Sequence, residues 1–259
     1  MKQRSIKCLV GAFILVTLGW FHVSHAAIVL VQATSSGCPN SNVANCTATF
    51  ANPTTAGDFY VVTANIGLTV ASATLFATVT STQSDTFQTA NSQDLTANGN
   101  SLWTYYAMNV VGGASTKINV HLTSSKKVHI TIAEYSGVAT SSAFDVATSS
   151  QGSTKPSNSG NITTSKTGEL LIGGYLNDDN GATTTLVSQN GFTLQASELC
   201  PISQCEALQD RITTSSPITV SSSFTWTSGS NWAQNIAAFL PAPAASVLLP
   251  KNYMLAFNW

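Results

Sequence analysis

The stretch Lys126–Gly137, KKVHITIAEYSG, decides the fold class. Val128, Ile130 and Ile132 alternate with His129, Thr131 and Ala133, the period-2 pattern of a strand with one face in a core. The same register carries Glu134 onto the apolar side, where an unpaired carboxylate costs more than one strand gains. Glu134 is therefore expected to be paired, protonated or at the strand end. Just upstream, Thr116–Thr123 alternates in the same way, with Ile118, Val120 and Leu122 on one face, and Ser124-Ser125 separates the two runs. This spacing predicts a hairpin of 116–123 with 126–135, whose outer face carries Lys117, Asn119, His121 and, on the neighbouring strand, His129.

Away from that hairpin, Asp58–Ile66 (DFYVVTANI) and Ser101–Val111 (SLWTYYAMNVV) are apolar on both faces, as central strands of a layered stack are. Shorter strands are expected at Ala27–Gln32, Thr47–Ala51, Phe144–Ala147, Gly160–Thr164, Glu169–Leu176, Phe192–Ala196, Ala207–Thr213, Ile218–Trp226 and Trp232–Leu240. No segment sustains a 3.6-residue period. The pattern predicts an all-β chain, an antiparallel β-sandwich of jelly-roll or lectin-like type, with one domain over residues 27–240. Two smaller sandwiches divided near Ser149–Ser159 are the alternative, and no internal repeat of fixed period is visible. Residues 241–259 read as a Pro/Ala linker and an aromatic strand, in which Tyr253, Leu255, Phe257 and Trp259 alternate with Met254, Ala256 and Asn258. That strand either packs on its own sheet or pairs with another copy's sheet edge, and so allows self-association.

The basic start (Lys2, Arg4, Lys7), the apolar run Cys8–Phe21 and Ser24-His25-Ala26 have the form of a secretory signal peptide over residues 1–26. Beyond it stand seven basic and eleven acidic residues, a formal charge of −4, with no basic run. Nucleic acid is therefore not an expected partner. Ser and Thr make up 64 of these 233 residues, which favours strands with hydroxyl-bearing faces over helices. Four cysteines remain, Cys38, Cys46, Cys200 and Cys205, and in an exported chain the local pairs 38–46 and 200–205 are expected as disulfides. Zinc is disfavoured, because no histidine lies near them and the spacings do not suit it.

Candidate chemistry is sparse. Glu134 and Asp210 both read as inward-facing and could form a cross-strand carboxylate pair, which a glycoside hydrolase needs. The plainer reading has them satisfied by backbone donors or by Arg211, the sole arginine beyond residue 26. There is no GxSxG, and Ser124-x-x-Lys127 falls in a turn, so nucleophilic hydrolysis has no motif. His121 and His129 could hold a metal only with a carboxylate near both. Asp178, Asp179, Asn180 and Gly181 supply part of what a calcium loop uses, though a turn alone accounts for them. Glycan binding would use an exposed aromatic beside amides, for which Trp103, Tyr105, Trp226 and Trp232 are the candidates. Asn45-Cys46-Thr47 and Asn161-Ile162-Thr163 fit the glycosylation sequon.

Several strand ends carry a resemblance: AEYSG (Ala133–Gly137) with Ala143-Phe144-Asp145-Val146 close behind, GELLIGG (Gly168–Gly174), QDRIT (Gln209–Thr213) and WAQNIAAF (Trp232–Phe239). Together they resemble a loosely defined group of bacterial secreted β-sandwich modules found in surface and adhesin-like proteins. The resemblance spans most of residues 27–240. It implies a sandwich, export and display at the cell surface, and assigns no site. Separately from the resemblance, glycans or cell-surface components are the expected partners. The expected role is a secreted or surface-exposed binding or structural module, with a glycosidase-like enzyme or a surface protein that self-assembles through its C-terminal strand as the alternatives.

Overall fold

The computed structural model describes residues 27–38, 42–67, 78–177, 185–198, 205–227 and 231–244. Residues 1–26, the calcium-loop candidates Asp178, Asp179 and Asn180, Cys200, and the stretch Tyr253–Trp259 lie outside the described residues. In chain order the strands are β1 (Val29–Gly37), β2 (Val43–Thr49), β3 (Phe59–Ile66), β4 (Thr78–Ser81), β5 (Gln88–Leu95), β6 (Asn100–Ala107), β7 (Lys117–Lys126) and β8 (Val128–Ser136). There follow β9 (Phe144–Gly152), β10 (Ile162–Thr163), β11 (Leu170–Asn177), β12 (Leu186–Ser188), β13 (Thr193–Glu198), β14 (Cys205–Ile212), β15 (Thr219–Val220), β16 (Phe224–Trp226) and β17 (Trp232–Phe239). The described chain is all-β and its pairings are antiparallel.

Four layers result. One five-stranded sheet has the order β1-β8-β3-β6-β5 and another β13-β14-β11-β17-β9; a third sheet, β2-β7-β4, and the pairs β10-β15 and β12-β16 form the outer layers. Tyr60, Val62, Val128, Ile130 and Ile132 pack with Cys46, Ile118 and Val120 between the first large sheet and its outer layer. Phe59, Val61, Ala133 and Tyr135, on the opposite face, pack with Leu170, Ile172, Leu208 and Phe239 of the second large sheet. Leu171, Ile236 and Ala238 then meet Ile162 and Val220, while Tyr175 meets Phe224 and Trp226. Both large sheets are thus covered on both faces, which is why β3, β11 and β17 are buried at every position.

The expected hairpin does not form. β7 pairs with β2 and β4, whereas β8 pairs with β1 and β3. At Lys127 the chain crosses from the outer layer to the first large sheet, so the inward faces of β7 and β8 meet across a core instead of lying side by side. His129 is consequently buried, not outward, and faces the second large sheet, while His121 is half-exposed in the outer layer.

The two halves of the chain repeat one topology. Reading β9-β17-β11-β14-β13 against β1-β8-β3-β6-β5 matches the strands in chain order, with β10 answering β2, β12 answering β4, and β15 with β16 answering β7. Register fixes the residue equivalences: Tyr135 pairs with Phe59 and Leu30 as Phe239 pairs with Leu170 and Phe144. Each half has a register shift at the same two places, between Leu30/Gln32 and Thr89/Asn91 in the first and at Ala237/Phe239 and Leu194/Ala196 in the second. β1 lies against β13 as β5 lies against β9, so the large sheets meet about a pseudo-twofold axis. The halves join through Gly137–Ala143, and the alternative boundary near Ser149–Ser159 falls within β9 and the loop after it.

The second half departs from the first in its outer layer. Ile218–Trp226, expected as one strand, is split into β15 and β16 by Ser221-Ser222-Ser223. Ser222 Oγ accepts from Gln209 Nε2 at 2.8 Å and from Gln234 Nε2 at 2.6 Å, so the break is pinned to the sheet beneath by side-chain amides. β7, by contrast, runs unbroken for ten residues.

Candidate functional site

Glu134 and Asp210 do not pair. Alternation along β8 turns Glu134 toward the outer layer and its neighbour Tyr135 toward the second sheet, and it is the Tyr135 hydroxyl that donates to Asp210 Oδ2, at 2.9 Å. Gln195 Nε2 donates to Asp210 Oδ1 at 2.7 Å. Burial raises the Asp210 pKa, and these two donors offset part of the rise. Arg211 lies on the opposite face of β14 and pairs with neither carboxylate.

Glu134, fully buried, accepts from Gln32 Nε2 at 2.6 Å and from the Thr55 amide at 2.8 Å, and shares a hydrogen bond with the Asp58 carboxyl. Burial, then the charge and hydrogen bond of Glu134, push Asp58 up to about 6. The second half holds a counterpart: Gly57-Asp58 before β3 is matched by Gly168-Glu169 before β11, and Glu169 shares a hydrogen bond with Asp145. Burial and Asp145 raise Glu169, opposed by the Lys166 and Ser165 backbone donors. Glu206 and Asp210 stand four residues apart on one face of β14, their Cα atoms about 13 Å apart, and different partners engage them. Glu206 Oε1 accepts from Thr63 Oγ1 at 2.7 Å, deep between the sheets.

Three of the four candidate glycan-binding aromatics are core residues. Tyr105, Trp226 and Trp232 are each less than 7 % exposed and have no open ring face for a sugar. Trp232 Nε1 donates to the Thr154 carbonyl at 2.7 Å, and the Lys155 ammonium stands 5.2 Å from the Trp226 ring. Trp103 is half-buried, stacked on Tyr105 with centroids 5.7 Å apart, and its Nε1 donates to Ser101 Oγ. The Cys38–Cys46 disulfide forms as expected; Cys205 is also disulfide-bonded, its partner lying outside the described residues. A disulfide fits an oxidising environment, and among the described residues no helix is long and apolar enough to cross a membrane.

An open polar site lies at the split in the outer layer. A groove of about 590 Å³ is lined by Asn161, Asn190, Gly191, Arg211, Thr219, Val220 and Ser221. Asn190-Gly191 builds one wall: both residues have positive φ, 56° and 75°, and Phe192 N–H donates to the Gln189 carbonyl, which closes a tight type I′ turn. Asn190 Nδ2 donates to the Ser221 carbonyl at 3.0 Å and to its Oγ at 3.2 Å, which ties this turn to the strand break. Arg211 Nη1 donates to the Asn190 carbonyl at 2.7 Å, its one hydrogen bond among the described residues, and it has no carboxylate partner there. The guanidinium lies over Gly191, where an added Cβ would sit at van der Waals distance from Nε, Cζ and Nη1 alike. In the first half the position of Arg211 is held by Ala107, buried under the unbroken β7. Sequence reading noted Arg211 only as a possible partner for acids; the missed signal was Asn190-Gly191, a turn dipeptide twenty residues before a lone arginine.

The chain matches no protein-family model, no curated protein and no solved structure.

Proposed function

We propose that the chain is an exported binding module of the cell surface or extracellular space, holding a hydroxyl-rich ligand, a glycan, in the Arg211 groove. The observation that carries this reading is the groove itself, an opening lined by two asparagines, a threonine, a serine and an arginine with no carboxylate partner among the described residues; the equivalent position in the other half is buried Ala107. Its volume is in the range of small-molecule sites. The resemblance of the strand ends to secreted surface modules, the signal-type start and the disulfides support export. The test is a glycan-array screen of the purified protein with and without calcium, calcium because Asp178, Asp179 and Asn180 are oxygen-bearing candidates in the sequence. A reproducible hit that Thr219→Trp abolishes by filling the groove is the expected result. A blank array overturns the reading, and a hit lost on Trp103→Ala but kept by Thr219→Trp moves the site to the Trp103–Tyr105 stack.

A further inference from the structure

We infer that the ligand of the Arg211 groove carries a carboxylate, as a uronic acid sugar does; this rests on the glycan reading above. Among the described residues the lining has no aromatic side chain, so a neutral sugar would find no ring face there to stack on and would be held by hydroxyl and amide bonds. Such bonds exchange for equivalent bonds to water and contribute about 1 kcal/mol each. A charge-assisted, two-pronged contact to a guanidinium is roughly twice as strong per bond and sets orientation as well. Arg211 offers that contact. Its Nη1 is tied to the Asn190 carbonyl, which fixes the plane of the group, while Nε and Nη2, the edge that grips a carboxylate, donate to no protein atom among the described residues.

The setting points the same way. Arg211 is the sole arginine of a chain segment with eleven acidic residues, and among the described residues no carboxylate pairs with it. Asp210, the acid next to it in sequence, is turned to the far face of the sheet and held by Tyr135 and Gln195. Strand alternation thus keeps the arginine apart from the acid beside it in sequence. Asn161, Thr219 and Ser221 lie around it to receive the sugar hydroxyls. Gly191 leaves the face of the guanidinium free of a side chain.

The experiment is titration calorimetry of the full secreted protein with oligogalacturonate, oligomannuronate and oligoglucuronate, with their methyl esters, with the neutral parent oligosaccharides, and with a sulfated neutral oligosaccharide. Expected is binding of at least one oligouronate that weakens tenfold or more on esterification, falls by a similar factor in Arg211→Gln, is partly kept by Arg211→Lys, and weakens with added salt. Arg211→Lys retains the charge and an N–H for the Asn190 carbonyl, so it separates loss of the fork from loss of the wall. Equal binding of acid and ester, preference for the neutral parents, or an unchanged Arg211→Gln overturns the carboxylate while leaving the glycan reading standing. Preference for the sulfated sugar overturns the carboxylate in favour of a sulfate ester. Silence across acidic and neutral sugars alike overturns both.

Discussion

Replacing Asp58 by asparagine should remove much of this protein's loss of stability between pH 4 and pH 7. In the fold Asp58 is raised from its ordinary 3.8 to about 6, first by burial and then by Glu134. A carboxyl whose pKa is higher folded than unfolded binds its proton more readily in the native state. The stability this gives is complete below about pH 4 and is lost as the pH rises through about 6. The full shift corresponds to about 3 kcal/mol, and solvent access near the turn reduces this to on the order of 1–2 kcal/mol. Asparagine keeps a donor for Glu134 and carries no charge to repel it. Asp58→Asn should therefore be more stable than the parent by about 1–2 kcal/mol at pH 7.5 and similar to it at pH 4, roughly 3–6 °C in melting temperature for a chain of this size. The assay is urea unfolding followed by far-UV circular dichroism at half-unit pH steps from 4 to 8. A parent and variant whose stabilities run parallel over that range would refute the shared-proton account. Glu169 is raised in the same direction, so a shallower slope should persist in Asp58→Asn and flatten further when Glu169→Gln is added.

Three further outcomes are expected. Tyr135→Phe should cost about 1–3 kcal/mol in urea unfolding, since it leaves the buried Asp210 with Gln195 as donor but opens no void; the equivalent residue of the other half is Phe239, whose ring packs 5.1 Å from Tyr106. Adding Asp210→Leu to Tyr135→Phe should recover most of that loss, and failure of the double variant to recover it would show that the contact is not an isolated pair. Gly137→Ala should lower the melting temperature markedly, because Gly137 has φ of 78° and an added Cβ would collide with the Ala27 carbonyl. Cys38→Ser with Cys46→Ser should cost about 2 kcal/mol for the short loop released, with unchanged unfolding after reduction as the contrary result.

Strand positions were legible in the sequence, and sheet membership was not. The alternation of Thr116–Thr123 and of Val128–Ile132 located β7 and β8 closely, because one-sided burial leaves a period-2 trace. Nothing in that trace says whether two adjacent runs lie side by side or across a core, and Ser124-Ser125 suits a crossing as well as a turn. The duplication was hidden for a related reason. The halves share Ala-Thr-Ser-Ser at 33–36 and 147–150 and a Gly-acid pair before β3 and β11, but little else in identity. Equivalent positions exchange Tyr135 for Phe239 and Leu102 for Glu206, substitutions that keep volume and depth while erasing the letters. Glu134 was readable as an inward acid, and its companions were not, since Gln32, Thr55 and Asp58 reach it from distant parts of the chain. The groove was unreadable because it arises from a strand that fails to continue. Hydroxyl-rich Ile218–Trp226 has the composition of a strand throughout, and only the amides of Gln209 and Gln234 beneath Ser222 reveal where it breaks.

The traffic of the chain around Gly137 bears on how this protein can be mounted. Ala27 lies against Gly137, and Ala242 N–H donates to the Gly137 carbonyl at 2.8 Å, while Val138 bridges to Pro241. Whatever precedes Ala27 and whatever follows Ala242 therefore depart from neighbouring points at one pole. A body with its two ports side by side can be spliced into a single surface loop of a larger host without prising that loop apart, or carried like a lamp on one post. In either mounting the far pole, where the Cys38–Cys46 bridge clamps the end of β1 to β2, is the part held outward.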